Sequence, residues 1–150
     1  MAATAGTHFD IGNPEAVQLV DRASCRPDFV VLAYPVVTMG KKAHLRSKRN
    51  LLGRKPTREQ IQFYSLETQV TKETPPVFLA HALNDAKVSS EYNSKALFEA
   101  LQAKNISSQY LELPRGGHGL NHQRGPMWDA WQEQSLEWLV KHHFVSSIDS

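Results

Sequence analysis

With 150 residues, 41% of them hydrophobic, the chain has the length of one ordinary domain and enough apolar content for a single core. Its 17 Lys and Arg against 15 Asp and Glu leave a net charge of +2, which gives no general electrostatic ground for binding nucleic acid or a membrane. The lone Cys25 excludes an internal disulfide framework and a Cys-based zinc site, and it reads as a buried thiol rather than a nucleophile.

Residues 1–12 are small and polar and read as a frayed start or the end of an earlier helix. MAATAGTHFD lacks the basic region and apolar core of a secretory signal, which permits a cytoplasmic location if the chain is complete. Asn13 and Pro14 open a short helix expected to run to Ala23, with Asn13 as cap and Pro14 at its first position. Arg26-Pro27-Asp28 breaks that pattern. Phe29 to Tyr34 is an uninterrupted β-prone run stopped by Pro35, and it predicts a buried strand with neighbours on both sides.

From Pro35 to Pro76 the sequence predicts an elaborated crossover that could cover a site at the strand ends. It carries a helix around Lys42 to Leu52 and another from Thr57 to about Leu66, the second opened by the capping-box pattern Thr57-Arg58-Glu59-Gln60. Lys41, Lys42, His44, Arg46, Lys48 and Arg49 form a basic run there. Without interleaved aromatics it reads as a solvated face, not a nucleic-acid module. No stretch approaches the roughly 18 apolar residues of a membrane span.

Val77 to Ala82 shows no polar/apolar alternation, as expected of a parallel strand covered on both faces. Ser89 or Ser90 then caps a helix from Glu91 to Lys104, with Tyr92, Ala96, Leu97, Ala100 and Leu101 on one face. Ser108 to Leu113 alternates in the manner of a strand nearer a sheet edge, and the strand-helix-strand unit is long enough for a right-handed parallel crossover. After Pro114-Arg115-Gly116-Gly117-His118-Gly119, a final helix runs from about Met127 to His143, its Trp128, Trp131 and Trp138 packing on the sheet. Ser146 to Ser150 reads as a loose tail. Nothing repeats, and residues 1–150 make one domain.

Two residues stand where such a sheet places ligands, beyond the carboxyl ends of its strands. Asp85 follows the second strand and His118 the third. A carboxylate that accepts from one imidazole nitrogen leaves the other free to take a proton from a nucleophile. Taken alone, Asp85 fits a turn or helix cap better than a chemical role. His118 and His122 have the spacing of a zinc pair but lack the Glu of a helical H-E-x-x-H motif, so no metal is expected.

HALNDAKVSSEYNSKALFEAL and YLELPRGGHG, together with RPDFVVLAYPVVTM, NLLG and TPPVFLAHA, resemble segments of the acetyl-esterase branch of the α/β-hydrolases, the acetylxylan-esterase-like or BD-FAE-like proteins. The resemblance covers about Ala2 to Phe144. It implies an α/β class, specifically a partial α/β-hydrolase fold: a three-layer sandwich of the late parallel strands and their helices. Asp85 is then the triad acid and His118 the general base, Asn84 shapes the turn, and His81 is a strand histidine that packs and makes a local hydrogen bond. The implied activity is serine carboxylic-ester hydrolysis of short acyl esters, such as acetyl groups on carbohydrate, with no cofactor.

The same resemblance predicts a gap. There is no G-x-S-x-G elbow and no upstream Gly-rich oxyanion segment, and neither Ser89 nor Ser90 has a strand-to-helix elbow around it. MAATAGTHFD aligns with the helix after the elbow, so the chain is expected to lack the N-terminal half of the fold. The rival expectation is a catalytically incomplete structural or interaction module, with a homodimer joined through an exposed sheet edge or a complementing chain as its partner.

Overall fold

A computed structural model describes residues 2–146; the expected tail from Ser147 onward and Met1 lie outside the described residues. The centre is the strand β2 (Val77–Ala82), whose six residues are all buried. It lies between β1 (Val30–Ala33) and β3 (Ser108–Leu113) in a parallel sheet of order β1-β2-β3. Val77 sits opposite Val30 on one side and Ser108 on the other, and the pairing runs in register from there.

The unalternating apolar run of β2 follows from having cover on both faces. Val77 and Leu79 join Val30 and Leu32 of β1 against Leu97 and Leu101 of α4 (Ala96–Ala103) and Ala3 of α1 (Ala2–Thr7). Phe78 and Ala80 face the other way, onto Trp138 of α5 (Pro126–Lys141), with Trp131, Leu139 and Phe144 completing that layer. The result is the three-layer arrangement expected, and the tryptophans of α5 do pack on the sheet. α1 approaches β1 so closely that a Cβ on Gly6 would fall 2.9 Å from Val30 Cγ2.

Among the described residues β3 is an edge strand of this sheet, and only its last residue, Leu113, is buried. β1 was expected to have strands on both sides. Among the described residues it pairs with β2 alone, and its outer edge carries no strand. The crossover between β1 and β2 holds α2 (Leu45–Leu52) and α3 (Arg58–Tyr64). α3 begins as its sequence requires: Gln60 N–H donates to Thr57 Oγ1 at 3.2 Å, and Thr57 N–H donates to Gln60 Oε1 at 2.9 Å. Among the described residues no helix is long and apolar enough to cross a membrane.

Three local expectations are corrected. The helix from Asn13 to Ala23 is replaced by a turn at Asn13, where Glu15 N–H donates to Asn13 Oδ1, and a single 3₁₀ turn, Leu19–Arg22. Val17, Leu19 and Val20 are 95%, 78% and 73% exposed, so a helix there has no surface to dock on. A segment of that length is marginal in water without packing. Cys25 belongs to the same outlying loop and is exposed, its Sγ accepting from Asp10 N–H at 3.0 Å. The helix after Asp85 has no serine side-chain cap; it opens with a π-helical turn, Glu91–Lys95, that leads into α4.

Candidate active site

The loops after β2 and β3 meet at one edge of the sheet. Leu83 N–H donates to Leu113 O at 2.8 Å, which joins the two strand ends. Beyond it, Gly117 N–H donates to Asn84 Oδ1 at 2.9 Å. Asn84 thus shapes not one turn but the contact between two. Asp85 is buried in this turn, and Lys87 and Val88 N–H both donate to its Oδ1 at 2.9 Å. The donors of the turn therefore meet one carboxylate oxygen and leave the other to the neighbouring imidazoles.

Oδ2 faces His118. The His118 Nδ1 to Asp85 Oδ2 distance is 2.8 Å, with the imidazole 34% exposed and the carboxylate fully enclosed. A carboxylate only accepts, so Nδ1 carries the proton and, in the neutral ring, Nε2 holds the lone pair. That nitrogen makes no hydrogen bond among the described residues. This is the geometry of a general base held in one tautomer by an acid.

The His118 loop has a backbone that side chains rarely adopt. Gly116 has φ +127°, and an added Cβ would meet Leu120 Cα at 3.3 Å. After it, Leu120, Asn121, His122 and Gln123 all have positive φ, between 47° and 64°. A left-handed turn of non-glycine residues costs roughly 1–2 kcal/mol per residue. Complete burial of Leu120 against Ala82 and Leu113 offsets part of that. His122 lies exposed on this turn, while His118 Nδ1 is committed to Asp85.

Two contributors were not named as site residues from sequence. His81, fully buried on β2, places Nε2 3.2 Å from Asp85 Oδ2. The expected local hydrogen bond is thus to the acid itself. Its sequence signal is a single imidazole inside an apolar strand, four residues before an Asp. Tyr34, directly after β1, has φ 42° and sets its ring edge-on to His118, with 5.5 Å between centroids. Backbone strain in such a residue marks functional sites, but only coordinates show it. A cleft of about 510 Å³ opens nearby, between Asn84, Gly117, Arg115 and Arg124; Asp85 and His118 do not line it.

The charges of the site make stability depend on pH. Burial pushes the His81 imidazole below its ordinary 6.5, and its bonds to Asp85 and Val88 only partly oppose that. Burial raises Asp85, but donors from Val88, His118 and Lys87 outweigh it and leave the carboxyl below its ordinary 3.8. In both cases the unfolded chain takes up protons that the folded chain refuses, so stability present at higher pH is lost on acidification. For His81 the loss begins near 6.5. Urea midpoints measured at about pH 7.5 and about pH 5.5 are expected to fall on acidification, and by less in His81→Gln, by up to roughly 1.4 kcal/mol per pH unit for that one group. Equal pH dependence in the two proteins would contradict the assignment.

Known proteins give the arrangement its context. The prolyl oligopeptidase family matches residues 30–144. The chain is 38% identical over 143 residues to endo-1,4-beta-xylanase B of Butyrivibrio fibrisolvens, a match over 92% of this chain and 22% of that protein. It is 26% identical over 141 residues to the acetylxylan esterase of Xylanibacter ruminicola, a match over 91% of this chain and 28% of that protein. Among solved structures, the acetyl ester-xyloside bifunctional hydrolase of Caldicellulosiruptor lactoaceticus superposes with a TM-score of 0.90 at 34% identity, over 97% of this chain and 53% of that one. The Thermogutta terrifontis esterase Est2, at 20% identity and a TM-score of 0.73, shares the fold. The chain therefore spans about a quarter of the curated relatives and about half of these structures, and it has part of the α/β-hydrolase fold.

Proposed function

The chain belongs to the prolyl oligopeptidase family, and from that membership we propose that it forms the acid–histidine half of a serine ester hydrolase acting on short acyl esters, acetyl groups on carbohydrate foremost. The observation that carries this is the 2.8 Å contact of His118 Nδ1 with Asp85 Oδ2, made between loops that leave adjacent parallel strands. Similarity to an acetylxylan esterase and to an acetyl ester-xyloside hydrolase supports the substrate class.

In this reading His118 Nε2 takes the proton of a serine hydroxyl as its oxygen attacks the ester carbonyl, then gives that proton to the departing alcohol. A second round, with water as nucleophile, releases the acid and returns the proton to serine. Asp85 stays ionised throughout and fixes the tautomer. The 150 residues hold no G-x-S-x-G. The reading therefore assigns the serine and the oxyanion donors to a strand and elbow leading into α1 and seated along the edge of β1 that carries no strand among the described residues.

The test is turnover of p-nitrophenyl acetate by the chain alone and by the chain co-expressed with the elbow-bearing half of the Caldicellulosiruptor lactoaceticus hydrolase. Alone, the chain is expected to turn over no faster than its His118→Ala variant. Complemented, it is expected to gain turnover that either His118→Ala or Asp85→Asn removes. Complemented turnover that survives His118→Ala would overturn the reading.

One observation favours a second reading, that of an interaction module. β1 has no strand on its outer edge among the described residues, and an uncovered edge is a template for pairing. Self-association through it predicts a sedimentation coefficient that rises with concentration. A monomer at the highest soluble concentration would remove this reading.

A further inference from the structure

His118 is not the sole imidazole on Asp85. His81 Nε2 lies 3.2 Å from Asp85 Oδ2 and 3.0 Å from Val88 O, and His81 Nδ1 lies 2.7 Å from Ser94 Oγ. His81, Ser94 and the Asp85 side chain are all 0% exposed, so water does not enter the count. A backbone carbonyl and a carboxylate can only accept. Nε2 must therefore carry a proton that it shares between them. In the neutral ring Nδ1 is then an acceptor, and the Ser94 hydroxyl donates to it.

Ser94 reaches that position through the π-helical turn, Glu91–Lys95, in which Lys95 N–H donates to Ser90 O at 3.0 Å. The extra residue in the turn brings two adjacent polar side chains inward. Asn93 accepts from Val37 N–H at 2.9 Å and ties down the loop after β1, while Ser94 meets His81. π-Helical insertions of this kind gather at functional sites. Counting both oxygens, the Asp85 carboxylate accepts from four groups: Lys87 N–H, Val88 N–H, His118 Nδ1–H and His81 Nε2–H.

We propose that His81 is the positioning residue of this site: fixed as the Nε2–H tautomer by Val88 O and Asp85 Oδ2, with the Ser94 hydroxyl donating to its Nδ1, it holds Asp85 Oδ2 in place and shares that oxygen with His118. The consequence is chemical as well as steric. Each donor to a carboxylate stabilises its ionised form and makes it a weaker base. With Oδ2 divided between two N–H groups, Asp85 orients His118 without drawing the Nδ1 proton away. His81 touches no reacting atom in this scheme and acts entirely through Asp85. The titratable groups around the pair are the two imidazoles and Asp85 itself, with the ring of Tyr34 edge-on to His118. The proposal rests on the Asp85–His118 pairing invoked above for catalysis but not on ester hydrolysis, so its test uses no substrate.

The test is ¹H–¹⁵N NMR of the 150-residue chain labelled at histidine nitrogens. Near neutral pH, His81 is expected to show a protonated Nε2 and an unprotonated, hydrogen-bonded Nδ1. A protonated Nδ1 would overturn the proposal, and this reading needs no variant. In His81→Leu, the His118 Nδ1–H resonance is expected to move downfield, because Oδ2 then serves one donor instead of two. In His81→Gln, whose Nε2–H₂ group can replace the lost donor, it is expected to return toward the wild-type position. A His118 resonance unmoved in folded His81→Leu would reduce His81 to a packing residue. If His81→Leu does not fold, the tautomer observed in the wild-type chain decides.

Discussion

Asp85→Asn, in the chain complemented with an elbow-bearing half, is expected to lower kcat on p-nitrophenyl acetate by about 10⁴, the loss seen when a triad acid becomes its amide. The size of the effect comes from the tautomer. The carboxylate accepts from His118 Nδ1–H at 2.8 Å. In the amide, Lys87 and Val88 N–H continue to require an acceptor, so the carbonyl oxygen takes the Oδ1 position and the NH₂ group takes Oδ2. It then points hydrogens at His118 Nδ1 and at His81 Nε2–H. His118 must accept at Nδ1, which moves its own proton to Nε2, the nitrogen that should receive the proton of the serine. The base is present but filled. His118→Ala removes the base outright and is expected to cost at least as much, whereas His81→Gln, which keeps a donor on Oδ2, is expected to cost far less. A loss of under tenfold for Asp85→Asn would show that Asp85 does not orient the base.

The parts of this site differ in how far sequence alone exposes them. β2 is legible because burial on both faces leaves its mark on every residue from Val77 to Ala82. Asp85 and His118 are legible because parallel topology brings the ends of successive strands to one edge, however far apart they lie in the chain. The segment from Asn13 to Ala23 misleads because helix signals report a local preference, and the exposed Val17, Leu19 and Val20 find no core to satisfy it. The exposure of Cys25 follows from the same outlying loop. Ser94 is opaque for a different reason. Its orientation depends on one residue inserted into a helical turn, and no periodicity in SSEYNSK marks where the insertion falls. The role of His81 inherits that opacity, since its second nitrogen is satisfied by a hydroxyl thirteen residues away.

Phe78→Ala is expected to destabilise the chain by about 3–5 kcal/mol, read as a lowered urea midpoint, together with loss of near-ultraviolet tryptophan ellipticity. Phe78 is completely buried near the start of the central strand, with its ring centroid 5.9 Å from that of Trp138. Trp138 in turn packs on Phe144 at 5.8 Å, so one truncation loosens most of the contact between the sheet and α5. This matters to the site because α5 starts at Pro126, a few residues beyond His118, and Met127 and Trp128 pack with the buried Leu120 of the left-handed turn. The strained backbone that presents His118 is therefore held down by the helix that Phe78 anchors. Leu101→Ala, on the opposite face of the sheet, supplies the comparison. It removes a fully buried side chain from the α4 layer and is expected to cost about 2–5 kcal/mol while leaving the His118 Nδ1–H resonance in place. If Phe78→Ala, at a denaturant concentration where it remains folded, leaves that resonance as sharp as Leu101→Ala does, then α5 does not hold the loop, and the left-handed turn is maintained by its own hydrogen bonds.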